Sequence, residues 1–165
     1  DRFNSRIIFP VNNISGDAIA FGGRIIHESK LAKYINSPET EFYKKGNMIF
    51  NLDKAKDSRA ETDEVIIVEG YMDVVSVYSA GVKNVISNSG TALTERQIDL
   101  IWKFFSNPII CLDGDESGQK AALRIAEKLF PKTGLTIFLV KFLYLFPFIM
   151  CLNFLKNFLT MICWV

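Results

Sequence analysis

The segment Glu64–Gly70, EVIIVEG, is the feature that most restricts how this chain can fold. A continuous run of β-branched residues is typical of a strand covered on both faces, as in a parallel sheet between helices. The run ends on Glu69, where a bare buried carboxylate would be very costly. We therefore expect Glu69 to be solvated, paired with another group or bound to a cation.

The sequence after Gly70 alternates between helical and strand-like patterns. MDVVSVYSAG has helical spacing and ends at Gly81, a favourable C-terminal cap, and KNVISNSG predicts a second strand. Thr94 and Gln97 stand at capping-box spacing before a helix predicted from about Glu95 to Phe105. NPIICLDGD, ESGQKAALRIAEKLF and TGLTIFLV then predict a strand, a helix and a fourth strand. This β-α-β-α-β-α-β order predicts an α/β domain with a parallel, Rossmann-like sheet.

Four acidic residues are expected at one edge of this sheet. Glu69 ends the first strand, Asp73 follows it, and Asp113 and Asp115 follow the third strand. Ligands of parallel sheets bind beyond the carboxyl ends of the strands. Carboxylates crowded there repel one another, and a divalent cation such as Mg²⁺ relieves that repulsion. Glu69 could then be a more distant metal ligand or a general acid/base.

Each aspartate also has a simpler explanation. Asp113 and Asp115 can end a strand and cap the following helix, and Asp73 can favour a helix N-terminus by its charge. Glu69 has no comparable structural task. The metal-binding and the purely structural explanations both remain open at this point.

Residues 1–63 form a separate part of mixed character. RIIFPV, NNISGD and AIAFGGRII predict a β-hairpin over residues 6–26, in which Gly22 and Gly23 indicate a bulge or a close backbone approach. The stretch AKYINSPETEFYKKGNMIFNL that follows is predicted to be irregular, and DKAKDSRAETDE is predicted to be a helix end followed by an exposed connection. The window 24–45 holds five basic and three acidic residues beside aromatic side chains that can stack on bases. A solvated loop with ordinary surface lysines is the alternative.

Composition excludes several classes of protein. The net charge of +1 excludes a uniformly basic nucleic-acid coat, so any polyanion must bind to local patches. Three cysteines without a CxxC pair, together with one histidine, indicate neither a zinc site nor a disulfide framework. A reducing cytoplasm is therefore expected. No signal peptide is recognised, and the chain is expected to be part of a longer protein.

The motifs VIIVEGYMDVV, GTALT and IICLDGDESGQKAA, together with RIIFPV, FGGR and YINSPET, resemble the catalytic core of bacterial DNA primase over residues 2–131. The resemblance implies a Toprim domain at 64–140, preceded by part of a mixed α+β primase core subdomain with a basic groove at 1–63. It implies RNA primer synthesis on single-stranded DNA from ribonucleoside triphosphates, with Mg²⁺ or Mn²⁺, without zinc in this chain and without a membrane. The replicative helicase is the implied partner of the full-length family, whose helicase-binding domain is not recognised here. A nuclease or topoisomerase of the Toprim type, or a non-catalytic nucleic-acid-binding module, remains the alternative.

The resemblance also assigns roles to individual residues. Its acidic motifs imply catalytic roles for four residues, of which all but Asp73 are implied metal ligands. Its basic and glycine-containing motifs imply contacts with nucleotide or template, although a tight turn explains the GTALT glycine equally well. The acidic set is Glu69, Asp73, Asp113 and Asp115, and the second set is Arg24, Lys33, Lys45, Gly90 and Thr91.

The last part of the chain, residues 141–165, differs from everything before it. All 18 acidic residues lie at or before Glu127, and the tail is dominated by large apolar side chains. The family has a third acidic motif in this region, so the sequence predicts a frameshifted or truncated product that is inactive in primer synthesis by itself. A transmembrane helix is the less favoured alternative, because Lys141, Pro147, Asn153 and Lys156 interrupt the apolar run.

Overall fold

A computed structural model of the chain describes residues 2–27, 30–88, 93–113, 115–133 and 138–141. The predictions for Gly90, Thr91 and residues 142–165 lie outside these ranges. Short 3₁₀ turns occur at Lys45–Asn47 and Lys56–Ala60. The helices and strands, in chain order, are β1 (Arg6–Asn12), β2 (Ala18–Ile25), β3 (Tyr34–Asn36), α1 (Leu52–Ala55), β4 (Glu64–Val68), α2 (Tyr71–Ser79), β5 (Val85–Ser87), α3 (Glu95–Trp102), β6 (Asn107–Leu112), α4 (Glu116–Thr133) and β7 (Phe138–Lys141).

The predicted parallel sheet is present, with strand order β5-β4-β6-β7. From β4 the chain crosses to β5 on one side, and it then passes back over β4 to β6 and onward to β7. The connections from β4 and β6 therefore lead in opposite directions. Adjacent strands of this kind leave a crevice at their carboxyl ends, which is where open α/β sheets bind ligands.

Strand β4 is buried on both faces, as its continuous apolar sequence predicts. Val65 and Ile67 belong to a hydrophobic core shared with α1, α3 and α4, whereas Ile66 and Val68 belong to a core shared with α2. Side chains alternate between the two faces of a strand, so both alternating sets must be apolar when helices cover both faces. The Rossmann-like layering follows directly from this pattern.

The N-terminal part forms a three-stranded antiparallel sheet, β1-β2-β3. The hairpin is confirmed, and α1 with the following 3₁₀ turn agrees with the helix end predicted in DKAKDSRAETDE. The prediction of an irregular segment before it is wrong at β3. The register irregularity lies between Val11 and Asn12, so the close-approach explanation of Gly22 and Gly23 is correct rather than the bulge. Residue propensities do not predict β3, because a three-residue strand depends on its pairing with β2, which the local sequence does not encode.

The predicted helix ends are largely correct. Gly81 has a φ of 101°, the left-handed conformation expected after α2. The capping box of α3 is present, with the Thr94 Oγ1 accepting from the Gln97 N–H. Helix α3 ends at Trp102 rather than at Phe105, although Phe105 is buried in the core beyond it.

Candidate active site

Glu69 and Asp113 come together because β4 and β6 are hydrogen-bonded neighbours in the parallel sheet. Glu69 follows β4 directly, and Asp113 follows β6 directly. Burial raises the pKa of Glu69, and the charges of Asp113, Asp73 and Asp115 raise it further, while a hydrogen bond from the Asp113 backbone amide lowers it. All four predicted acidic residues are therefore close enough to interact electrostatically at one edge of the sheet.

Asp73 lies within the first turn of α2 and is half-buried. Burial is the main cause of its raised pKa, and repulsion by Asp113 adds to it. The Gly70 backbone amide donates to the Asp73 Oδ2 over 2.9 Å, and Arg24 attracts the carboxylate; both of these contacts lower the pKa. The net upward shift shows that the charged form of Asp73 is less stable here than in water.

The simpler structural explanation also applies to two of the aspartates. Asp73 caps α2 through Gly70, and the Asp115 Oδ1 accepts from the Gly118 backbone N–H over 2.7 Å at the start of α4. Each of these bonds uses one carboxylate oxygen. Capping and metal binding are therefore compatible, and neither excludes the other.

Gly118 allows the start of α4 to approach the end of β6. A Cβ at this position would overlap the backbone carbonyl oxygen of Asp113, and the neighbouring Asp113 backbone atoms would lie within 3.1 Å of it. No side-chain rotation can relieve a clash with backbone atoms. Any larger residue here would displace Asp113 and Asp115 relative to each other.

The antiparallel sheet carries one basic and one aromatic side chain near Asp73. Arg24 in β2 pairs in register with Tyr34 in β3, and its guanidinium carbon lies 5.8 Å from the centre of the Tyr34 ring. Burial raises the Tyr34 pKa, the Arg24 charge lowers it, and the Asp73 charge raises it. Arg24 and Tyr34 therefore both lie within electrostatic range of Asp73.

Tyr71, the first residue of α2, joins the two sheets. Its ring stacks on Phe9 of β1 with centroids 5.2 Å apart and meets Phe50 edge-on at 4.7 Å. Its hydroxyl donates to the Asn36 Oδ1 over 2.8 Å. A Cβ on Gly22 would lie 2.6 Å from this ring, so Gly22 makes room for it. This contact fixes the acidic turn after β4 against the sheet that carries Arg24.

The other predicted basic residues lie on segments with defined backbones. The Lys33 carbonyl accepts from the Ile25 amide over 3.0 Å and from the Arg6 guanidinium over 3.3 Å. Lys45 begins the 3₁₀ turn, and its amide donates to the Glu39 Oε1 over 3.0 Å. Both lysines thus have anchored backbones, while their contacts with nucleotide or template remain predictions.

The chemistry of the donor groups suits a hard cation, because all of them are carboxylate oxygens that carry surplus negative charge. Among the residues that the structure describes, no three His, Cys, Asp or Glu side chains are close enough to enclose an ion by themselves. Mg²⁺ usually takes only one or two carboxylates and completes its shell with water and substrate phosphates. A site made of one or two carboxylates from this set fits that pattern, and Glu69, Asp113 and Asp115 remain the predicted ligands.

Three residues that shape this region were not recognised from the sequence as important to it. A glycine in the first turn of a helix is intrinsically unfavourable, so Gly118 could have been read as a sign of close backbone approach. Tyr71 follows the acidic strand end directly, but nothing local shows that its ring contacts β1. Gln97 was recognised only as a cap, and its contacts outside α3 depend on tertiary structure.

Comparisons with known proteins agree with this geometry. A family model described as the DNA primase catalytic core, N-terminal domain, matches residues 1–56, and the Toprim domain model matches residues 63–141. DNA primase of Pseudomonas aeruginosa is 40% identical over 131 residues, which cover 79% of this chain and 20% of that protein. The chain thus spans about a fifth of the length of this curated relative.

Solved structures show the same relationship. The crystal structure of the Aquifex aeolicus primase zinc-binding and RNA polymerase domains has a TM-score of 0.83 at 37% identity, covering 96% of this chain and 38% of that one. A primase catalytic domain bound to single-stranded DNA has a TM-score of 0.74 at 38% identity, covering 80% of this chain and 41% of that one.

The fold and the site thus define a Toprim domain joined to the N-terminal domain of a primase catalytic core. The chain belongs to the bacterial DNA primase family and corresponds to a part of its catalytic core. Within the described residues, no helix has the length and apolar character needed to cross a membrane.

Proposed function

We propose that this chain carries the residues with which a bacterial DNA primase joins ribonucleoside triphosphates into a short RNA primer on single-stranded DNA. The observation that carries the proposal is the convergence of four carboxylates at the β4–β6 crevice, beside Arg24 of the neighbouring sheet. The similar primase domain bound to single-stranded DNA supports the choice of template. The match of residues 1–56 to the primase core favours this function over a Toprim nuclease or topoisomerase.

Glu69, Asp113 and Asp115 are the residues that would hold Mg²⁺ or Mn²⁺ in this crevice. A bound divalent cation neutralises phosphate charge and stabilises the charge that develops during phosphoryl transfer. The raised pKa of Glu69 brings its carboxyl closer to the range in which it can accept and return a proton. Glu69 is accordingly assigned the general acid/base role, and Asp73 holds the turn that presents it.

The basic residues take the role of binding polyanions. Arg24 is assigned to bind the triphosphate as it approaches the carboxylates, which is supported by its position over the Tyr34 ring and its charge interaction with Asp73. Lys33 and Lys45 neutralise template or nucleotide phosphates, and Gly90 and Thr91 contribute a loop near the nucleotide. The replicative helicase is the proposed protein partner of the longer protein, and the cytoplasm is the proposed location.

Metal-dependent stability tests the site. The melting temperature of the full chain is measured during titration with Mg²⁺ and Mn²⁺, for the wild type, Glu69→Gln and Asp113→Asn. A cation that binds the folded state raises the melting temperature, and both variants are expected to lose that rise. Asp57→Asn serves as the control, because Asp57 is exposed on the Lys56–Ala60 turn away from the cluster. An equal rise in all four proteins would refute the metal site.

Primer synthesis by the chain alone is a separate test. The sequence has no acidic residue after Glu127, so the third acidic motif expected from the family is not recognised. We therefore expect the purified chain to show no template-dependent synthesis above background with radiolabelled ribonucleotides. Measurable synthesis would show that the carboxylates described above are sufficient.

A further inference from the structure

Gln97 makes more hydrogen bonds than its role as a helix cap requires. It is the third residue of α3, and its side chain is fully buried. Its Oε1 accepts from the Thr94 N–H over 2.9 Å, which is the cap. Its Nε2 donates to two carbonyls far away in sequence, those of Lys45 at 3.2 Å and Met48 at 2.7 Å. The last two bonds contribute nothing to α3.

Thr94 makes a similar second contact with the same turn. Its Oγ1 accepts from the Gln97 N–H over 3.1 Å and donates to the Gly46 carbonyl over 2.5 Å. The pair Thr94 and Gln97 therefore binds three carbonyls of the segment Lys45–Met48. This segment has no residue in a strand of either sheet.

The choice of glutamine over glutamate supports a purpose beyond capping. Glutamate at this position would complete a capping box equally well and would add a favourable charge at the helix N-terminus. A carboxylate, however, has no N–H to donate and would face two carbonyl oxygens in a buried place. Only an amide serves the cap and the turn together.

We propose that Gln97 is a positioning residue that fixes the 3₁₀ turn at Lys45–Asn47 so that Lys45 is presented to nucleic-acid phosphate. This inference rests on the proposed function for what Lys45 binds. The same capping box also begins α3 directly after the segment that carries Gly90 and Thr91. One buried amide thus links the Lys45–Asn47 turn to the start of α3.

Binding of a fluorescent single-stranded DNA oligonucleotide by the full chain, followed by anisotropy at several salt concentrations, tests this inference. Lys45→Ala is expected to weaken binding severalfold and to lower the slope of log K against log salt by about 0.7 for each lost phosphate contact. Gln97→Met, which keeps the length of the side chain but no polar group, is expected to reproduce both effects. In the Lys45→Ala background, Gln97→Met is expected to cause no further loss.

Two controls separate positioning from loss of stability. Ile101→Val removes a methylene from the buried face of the same helix without touching the turn, so it should leave the binding slope unchanged. Hydrogen exchange of the amides at positions 45–48 should accelerate in Gln97→Met and not in Ile101→Val.

The outcomes distinguish this inference from the proposed function. If Lys45→Ala leaves binding unchanged, Lys45 does not bind template or nucleotide. The proposed positioning role of Gln97 is then wrong as well. If Lys45→Ala weakens binding but Gln97→Met does not, or if the two losses add, the proposed function survives and Gln97 is only a cap.

Discussion

The helices that follow strands in this sheet begin in two different ways. Helix α3 begins with a neutral cap, in which Thr94 and Gln97 satisfy each other's backbone amides. Helices α2 and α4 begin with carboxylate caps, in which Asp73 binds the Gly70 amide and Asp115 binds the Gly118 amide. The neutral cap lies in a buried place, whereas the two charged caps lie together beside Glu69 and Asp113.

The difference shows that capping alone does not explain the acidic residues. A hydroxyl or an amide caps a helix about as well as a carboxylate, as α3 demonstrates. The charged caps nevertheless lie near other carboxylates: both caps help to raise the pKa of Glu69, and Asp113 helps to raise the pKa of Asp73. Neutral side chains would cap α2 and α4 equally well, so the negative charge of their carboxylate caps is better explained by the binding of a cation. The following predictions test this contrast, from the largest expected effect to the smallest.

Gly118→Ala should cause the largest loss, because its Cβ would overlap the Asp113 backbone at the start of α4. We expect the free energy of unfolding to fall by about 3 kcal/mol, at the upper end of the cost of overpacking. Urea denaturation followed by circular dichroism measures this change. Ser117→Ala, at the exposed neighbouring position, should change it little, and an equally stable Gly118→Ala variant would show that α4 does not begin as described.

Thr94→Ala removes the neutral cap and also leaves the Gly46 carbonyl without its hydroxyl donor. The expected cost is about 1–2 kcal/mol in the free energy of unfolding, a typical value for a lost N-cap. Thr94→Ser, which keeps the hydroxyl, should recover most of it. The same urea experiment applies, and equal stability of the alanine and serine variants would contradict the capping geometry.

Asp73→Asn should stabilise the folded chain, in contrast to the two preceding substitutions. The asparagine oxygen can still accept from the Gly70 amide, while the repulsion from Asp113 disappears. Because Asp73 is partly exposed and its charge is screened, we expect a gain of only a few tenths of a kcal/mol in the metal-free chain. A thermal melt in EDTA measures it. A clear loss of stability would mean that Arg24 and the cap outweigh the repulsion.

Glu64, at the opposite end of β4 from Glu69, provides a comparison in which burial alone raises the pKa. Because its pKa is higher in the folded state, Glu64 favours folding most below its unfolded pKa, and this contribution is lost as the pH rises through the folded pKa. Glu64→Gln should therefore be slightly more stable than the wild type at pH 7, and the difference should shrink toward pH 4. Urea denaturation at the two pH values in EDTA tests this. If the stability advantage of Glu64→Gln grew as the pH was lowered, the pKa of Glu64 would not be raised in the folded state.

Much of the fold could be predicted from the sequence because the information is local. The run at Val65–Val68 is apolar at every position, which only a strand covered on both faces tolerates. Gly81 and the pair Thr94 and Gln97 marked helix ends through backbone conformation and capping chemistry. The acidic edge followed once the strands were taken as parallel, since their carboxyl ends must then lie on one side.

Other features could not be predicted in this way. Strand β3 is too short to carry a periodic pattern, and it exists through its pairing with β2. The stacking of Tyr71 on Phe9, with Gly22 making room for the ring, joins positions about 50 to 60 residues apart. The sequence also left open whether Asp73 and Asp115 cap helices or bind a ligand, and the structure shows that both do cap.

The sequence by itself determined that this chain forms a parallel α/β sheet with acidic strand ends, because periodicity, caps and strand burial are properties of neighbouring residues. Only the tertiary structure decided that β4 and β6 are adjacent, so that Glu69 and Asp113 interact, and that Arg24 lies near Asp73. Contacts of that kind depend on the order of strands and on the packing of one sheet against another. They arise between residues far apart in the chain, where no local pattern records them.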